Sequence, residues 1–533
     1  MSKKFPNWLC FAVFYEIYPQ SFYDSNGDGI GDIPGIIEKL DYIQSLGCNA
    51  IWLNPCYESP FQDAGYDVSD YYKIATRYGK NSDLKRLFKL ADKRGIKICL
   101  DLLAGHTSIE HPWFKASAEP EKNKYSDYYI WSEDWTEKPE PPLMPVMGYS
   151  KRNGHFVSNF FWFQPALNYG FAKPDPQKPW QLSPDHSTCK AVRRNLIDIM
   201  RFWLDMGASG FRVDMADSII KNDKGHEKTS VFWRQIRELF DKEYPDAALI
   251  SEWFDPPTSI SAGFHCDFMP FGAYNPLFRM EKGTNVSPGV GGHSYFRESG
   301  KGDITAFLKN FNKPYQKTKN RGVITFHTGN HDLPRISIGR SQKELELVFV
   351  FNMTMPGVPF VYYGDEIGMK YFKNLPSKEG GYTRTGARTP MQWDTSKNAG
   401  FSSAPAEKLY LPIDPAENYP NVQNQHDRPN SLLNKVKKMI DLRRSSPELS
   451  AWSDFTVLYA KPGEYPFVYA RGRGKSKFLI ALNPSGKPVI AEFDIPKINC
   501  QPQLLDGKSV EFTCNKQKCK IKMAPISYAI YKT

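Results

Sequence analysis

The feature that most constrains this chain is an alternation. Short apolar runs rich in β-formers recur eight times: AVFYEIY (12–18), NAIWLNP (49–55), IKICLDLL (96–103), GFRVDM (210–215), ALISEW (248–253), CDFMPF (266–271), VITFHTGNH (323–331) and VPFVYYGDE (358–366). Stretches of helical spacing separate them, among them IPGIIEKLDYIQSLG, DLKRLFKLADKRG and CKAVRRNLIDIMRFWLDMG, each closed by a glycine as helix C-termini often are. Eight strand-helix repeats predict an α/β fold, a TIM (β/α)8 barrel rather than an open sheet.

Two departures divide the chain. Between the third strand and the helix near 188 lie roughly 80 residues rich in Pro, Trp and Tyr, too long for a connection and therefore an inserted subdomain. After SLLNKVKKMIDLRRSSPEL the pattern becomes purely β, which predicts a C-terminal antiparallel β-sandwich. The expected division is barrel (1–106), inserted subdomain (107–186), barrel again (187–449) and sandwich (450–533). A chain of 533 residues is too long for one hydrophobic core of usual size, in keeping with this division.

Composition excludes some functions. The net charge of +11 would suit a polyanion, but Lys and Arg are interleaved with 58 acidic residues and form no basic stripe, so no nucleic-acid partner is expected. No uninterrupted apolar run of about 18 residues exists, so no membrane span is expected. Aromatic residues make up 14%, and flat faces with polar edges suit sugar rings or bases as well as a core. Nine cysteines, several within apolar runs, suggest reduced thiols and a cytoplasmic compartment. CNKQKC (514–519) resembles half a zinc site but has no matching pair, so zinc is not expected. The opening MSKKFPNWLCFAVFYEIYPQSF begins like an export signal but is broken by Glu16 and Pro19; a signal removed upstream stays open as an alternative. The oligomeric state is not legible.

In a parallel barrel the chemistry sits where strands end. Asp101 and His106 follow the third strand, Arg212 and Asp214 end the fourth, Glu252 ends the fifth, and Asn330, His331 and Asp332 end the seventh. Carboxylates with an arginine, and no metal-type histidine pair, point to acid, base and nucleophile machinery. DSNGDGIGD (24–32) is a separate signal. It sets oxygen donors at Asp24, Asn26, Asp28 and Asp32, with the Ile30 carbonyl, in a spacing suited to Ca²⁺ or Mg²⁺. Gly35 stands where an EF-hand would need its bidentate Glu, so that motif is rejected, and a plain Asx-turn remains the alternative.

GYDVSDY, DLLAGHTS, QPALN, GFRVD, the Glu of ISEW, NHD, YYGDEIGM and ARTPMQW follow one another over nearly the whole chain as in the α-amylase superfamily of retaining glycoside hydrolases. The sequence most resembles the oligo-1,6-glucosidase and α-glucosidase branch. The resemblance implies that Asp214 is the nucleophile and Glu252 the acid/base, with carboxyls about 5 Å apart. Arg212 would then keep Asp214 ionised, while Glu252 would need a raised pKa to carry its proton. It further implies that Asp332 is the third carboxylate, that His106 and His331 bind sugar hydroxyls, and that Tyr66 is the stacking platform. Asp63 and Arg384 match a pair that closes the pocket at the non-reducing end in exo-acting members.

The same resemblance makes DSNGDGIGD a structural calcium loop. It also sets Gly105 where most of the superfamily has a calcium-binding Asn, which argues against a cation at that strand. Met215 follows the nucleophile where 1,6-specific members have Val and 1,4-active ones Ala or Thr, so the linkage is not legible. The expected function is a retaining exo-acting α-glucosidase acting on a small oligosaccharide or disaccharide. The alternatives are a glucosyl transferase or isomerase on the same scaffold, trehalose-forming or sucrose-active, and a non-catalytic sugar-binding relative.

Overall fold

The computed structural model describes residues 5–137, 139, 141–279, 293–474, 476–495, 502–507, 510–515 and 517–533. All eight apolar runs form strands: β1 (Phe14–Ile17), β2 (Ala50–Leu53), β3 (Lys97–Leu102), β4 (Gly210–Val213), β5 (Ala248–Ser251), β6 (Cys266–Phe268), β7 (Val323–His327) and β8 (Val358–Tyr362). They close a parallel barrel in which β8 pairs with β1, Phe14 lying beside Phe360. Nearly every residue of these strands is buried, which is why each run reads as continuously apolar rather than alternating.

Alternation reappears in where the side chains go. Phe14, Trp52, Cys99, Ile250, Phe268 and Phe360 fill the barrel interior, whereas Tyr15, Ile51, Leu53, Ile98, Leu100 and Phe211 pack outward against the helices. Phe14 and Phe360 stack inside at 4.3 Å between ring centroids. Two outer helices end at glycine as the sequence expects, although IPGIIEKLDYIQSLG is split in two at Lys39. Ser187–Met206 is closed by Gly207 at φ 123°, and Leu40–Leu46 by Gly47 at φ 94°, a backbone angle that favours glycine.

The insert carries a small sheet of Trp131–Ser132, His155–Ser158 and Met144–Met147, with the middle segment central. The C-terminal region is antiparallel. Its strands are β9 (Phe455–Tyr459), β10 (Phe467–Arg471), β11 (Phe478–Asn483), β12 (Val489–Asp494), β13 (Gln503–Gly507), β14 (Val510–Asn515), β15 (Lys518–Met523) and β16 (Ser527–Lys532). One sheet runs β9-β10-β11-β16-β13 and the other β12-β15-β14.

The cysteine expectation needs a correction. The hairpin of β14 and β15 sets Cys514 directly opposite Cys519, and the two form a disulfide. Cys10, Cys48, Cys56, Cys99, Cys189 and Cys266 are free, as expected, and Cys500 lies outside the described residues. Disulfides belong with oxidising compartments, so this pair removes part of the ground for a cytoplasmic reading. Among the described residues no helix is long and apolar enough to cross a membrane.

Candidate active site

Inward-facing positions change character as each strand nears its C-terminal end. Two residues beyond inward Phe14, Trp52, Cys99 and Ile250 come Glu16, Asn54, Asp101 and Glu252, and on β4 Arg212 is followed two residues later by Asp214. The two-residue period of a strand therefore stacks a polar layer on an apolar plug. Trp52 is the top of that plug: its indole N–H donates to Asp101 Oδ2 at 3.1 Å, and its ring lies 4.9 Å from the Arg212 guanidinium.

Arg212, 2% exposed, is the hub. Its Nη1 donates to Asp101 Oδ1 at 2.8 Å and to Asp214 Oδ1 at 2.9 Å, and its Nη2 lies 2.7 Å from Glu252 Oε2. The Met215 N–H also donates to Glu252 Oε2, at 3.1 Å. Three carboxyls thus share one guanidinium. Burial pushes the Asp214 pKa well up and outweighs the pull of Arg212, with Glu252, Asp101 and Asp332 adding repulsion. This runs against the expectation that Arg212 keeps Asp214 ionised, because burial and the neighbouring carboxyls favour the protonated form of Asp214. Retaining chemistry uses one proton and one carboxylate at this position.

Asp332 has the opposite fate. Burial alone would raise its pKa, but His331, Arg384 and Arg388 together hold it well below the usual carboxylate range. Arg384 Nη1 and Arg388 Nη2 reach its Oδ1 at 2.9 and 3.0 Å. His331 bridges Glu16 Oε1 (2.9 Å, Nδ1) and Asp332 Oδ2 (3.2 Å, Nε2) and lies parallel to Tyr66 at 5.1 Å between centroids. Tyr66 in turn donates its hydroxyl to Asp101 Oδ2 at 2.9 Å. His106 holds the Tyr66 carbonyl with Nε2 at 2.9 Å, and burial lowers its pKa to about 4, so it is a neutral imidazole near pH 7.

These groups line one cavity of about 440 Å³. Asp63, Tyr66, His106, Asp214, Glu252, His331, Asp332 and Arg384 all reach it, and Arg212 lies beneath. At one end Arg384 Nη2 is 3.4 Å from Asp63 Oδ1, and Gln164 Nε2 donates to Asp63 Oδ2 at 2.9 Å. Burial raises the Asp63 pKa to about 7 against the pull of Arg384 and Arg388. Phe160 and Tyr382, 45% and 55% exposed, also line the cavity.

Sequence reasoning quoted the motifs of Gln164 and Arg388 without assigning either a role. It passed over Phe160 and Phe161 altogether, although the run NFFWF directly before QPALN was the available signal. Gly105 packs where an added Cβ would come within 2.7 Å of Asn159 Nδ2, and the Lys221 ammonium lies 2.8 Å from Asn159 Oδ1. Asn159 thus stands between Gly105 and the Lys221 ammonium.

The loop after β1 keeps its oxygen donors close to its own backbone. Asp24 accepts from the N–H groups of Asn26, Gly27 and Gly29 and from Ser402 Oγ at 2.6 Å, while Asn26 Nδ2 lies 3.1 Å from Asp28 Oδ2. Asp32 caps the helix that begins at Ile33, accepting from the Gly35 N–H at 2.6 Å. The loop's donors are oxygens of the kind a hard divalent cation takes, but among the described residues no three His, Cys, Asp or Glu side chains are gathered to hold a metal ion.

A sequence model of the alpha-amylase catalytic domain matches residues 16–451. The chain belongs to the alpha-amylase family. It is a glycoside hydrolase by that membership. A glucan 1,6-alpha-glucosidase of Streptococcus pneumoniae serotype 4 is 32% identical over 90% of this chain and 92% of that protein. A trehalose synthase/amylase of Mycobacterium tuberculosis is 31% identical over 95% of this chain and 87% of that one. Among solved structures, an isomaltulose synthase mutant of Erwinia rhapontici NX5 in complex with sucrose superposes with a TM-score of 0.78 at 27% identity, covering 99% of both chains.

Proposed function

We propose that the protein is a retaining, exo-acting α-glucosidase that releases glucose from the non-reducing end of short α-glucosides. The observation that carries this reading is the end of the cavity where Asp63, Gln164 and Arg384 join. A terminal glucosyl unit has hydroxyls to offer that end, whereas a chain running through would meet paired charges. Buried polar groups left without partners discriminate strongly against a ligand that lacks the matching hydroxyl.

In this reading Asp214 attacks the anomeric carbon while Glu252 gives its proton to the leaving oxygen. The C–O bond to the aglycone breaks as the glucosyl–Asp214 bond forms. Glu252, now a carboxylate, then takes a proton from water, which displaces Asp214 and restores both groups. Asp332, held ionised by Arg384 and Arg388, accepts from ring hydroxyls and stabilises positive charge as it develops at the anomeric centre. Tyr66 offers an apolar face to the ring.

Transfer of the glucosyl group to a second sugar is the other reading. It is favoured by the aromatic mouth of Phe160 and Tyr382, which would hold an acceptor and exclude water, and by the trehalose and isomaltulose synthases among the relatives. A screen of α-linked di- and trisaccharides, including maltose, isomaltose and sucrose, tests both. Free glucose as main product supports hydrolysis, a new disaccharide as main product supports transfer, and cleavage only within long glucans defeats the exo reading. As part of the same proposal, a Ca²⁺ or Mg²⁺ ion would be held by Asp24, Asn26, Asp28, the Ile30 carbonyl and Asp32, where it would brace the loop rather than take part in catalysis.

A further inference from the structure

The two residues that close the pocket come from different loops. Asp63 sits on the loop after β2, between Phe61 at φ 60° and Ala64 at φ 51°, and Arg384 follows Glu379 and Tyr382, both at φ 46°. Four non-glycine residues in the left-handed region need outside support to stay there. Arg384 reaches back to its own loop, its Nη2 donating to the Gly380 carbonyl at 2.6 Å. Gly380 itself lies against the other loop, where an added Cβ would come within 2.7 Å of the Gln62 carbonyl.

Behind this contact stands Arg77, in the short helix Thr76–Tyr78, which does not line the cavity. Its Nη1 and Nη2 pair with Glu379 Oε1 and Oε2 at 2.7 and 3.0 Å, a two-pronged ion pair with side chains 18% and 14% exposed. Its guanidinium carbon lies 3.2 Å from the centre of the Phe61 ring. Tyr410 donates to Glu379 Oε2 at 2.9 Å and fixes the carboxylate from the other side. One guanidinium therefore holds the loop of Arg384 through charge and the loop of Asp63 through a ring face. A fork matched to a carboxylate and flat enough to stack is a task lysine cannot perform.

We propose that Arg77 and Glu379 form a latch that positions Arg384 against Asp63 and so sets the closed end of the sugar pocket. They are positioning residues: neither touches the cavity, and both act through Arg384. The inference rests on the exo reading above and adds residues that determine how strictly a chain end is demanded.

The test compares Arg77→Met, Glu379→Gln, their double variant and Arg77→Lys with Asp63→Asn. Substrates are p-nitrophenyl α-glucoside, maltotetraose and isomaltotetraose, and thermal melts check folding. In the latch variants KM should rise about tenfold with a smaller change in kcat, the pattern expected when a contact made equally in ground and transition state is weakened. The double variant should be no worse than the worse single one, since either change opens the same latch. Disaccharide released from within a tetrasaccharide should appear in all three. Arg77→Lys should restore little of this, and together with Glu379→Gln it carries the test if Arg77→Met does not fold. Additive effects, or an unchanged KM and product pattern in folded Glu379→Gln, overturn the latch. If Asp63→Asn alters chain-end selection and the latch variants do not, the exo reading stands and the latch falls. If Asp63→Asn leaves selection unchanged, the exo reading itself fails.

Discussion

Replacing Asp63 by Asn should change affinity and stability in opposite directions. Asp63 is buried and its pKa stands at about 7, with burial as the main cause. Its carboxyl is then about one tenth ionised at pH 6 and about nine tenths at pH 8. If the ionised form binds the terminal hydroxyl, affinity for glucose should fall about tenfold from pH 8 to pH 6. The Asn variant should show no such slope and should bind at all pH values about as weakly as the parent does at pH 6.

Stability follows from the same shift with the sign worked through. The folded group keeps its proton up to about pH 7, while the unfolded group loses it near pH 4, so stability falls as pH rises between them. A gap of about 3 pH units corresponds to about 4 kcal/mol. Asp63→Asn should therefore be more stable than the parent at pH 8 by up to about that amount, and the difference should vanish below about pH 4. Competitive inhibition of hydrolysis by glucose gives the first quantity, and urea unfolding at several pH values gives the second. A parent inhibition constant that is flat from pH 6 to 8, or an Asn variant less stable at pH 8, would refute the reasoning.

Other outcomes follow from the same geometry. Asp214→Asn should lose activity by about 10³-fold or more, and mass spectrometry after reaction of the parent with 5-fluoro-α-glucosyl fluoride should find the glucosyl label on the peptide containing Asp214. Arg388→Met removes a buried guanidinium and leaves Asp332, a half-buried carboxylate, with one partner fewer; it should destabilise the fold by up to about 3 kcal/mol in urea titrations, with loss of substrate affinity. If a cation braces the loop after β1, chelation should lower the melting temperature and added Ca²⁺ restore it, and Asp28→Asn should abolish the difference while activity at low temperature persists.

The barrel was legible because its strands are buried on both faces: runs such as KICLDL and VPFVY admit no exposed face, and helical periodicity stands out between them. β13, β14 and β15 were not legible. β13 buries none of its residues fully, those of β14 and β15 alternate between buried or half-buried and exposed, as in KCKIKM, and the two cysteines drew the eye to a metal pattern instead of a hairpin. Within the site, Asp101, Arg212, Asp214 and Glu252 could be placed because strand period alone aims them inward. Gln164, Arg388 and Glu379 lie on loops and Arg77 on a single helical turn, where partners are chosen by the path of the chain and no period records them. The electrostatic outcome was equally hidden. Arg212 beside Asp214 reads as a stabilised carboxylate, but burial with two further carboxyls on the same guanidinium reverses the balance.

The closure of the barrel by its first and last strands also bears on when the protein becomes an enzyme. Asp63 is made early and Arg384 321 positions later, and Glu16 on β1 waits for His331. Until the chain has been synthesised past Tyr362, β1 lacks its neighbour β8, and until it has passed Arg384 the Asp63 end of the pocket stays open. Under the proposed exo reading, a product terminated before Arg384 would lack a residue needed to select a chain end. In that reading specificity arrives with the late-made part of the chain, and the long-range pairing this demands is of the kind that folds slowly.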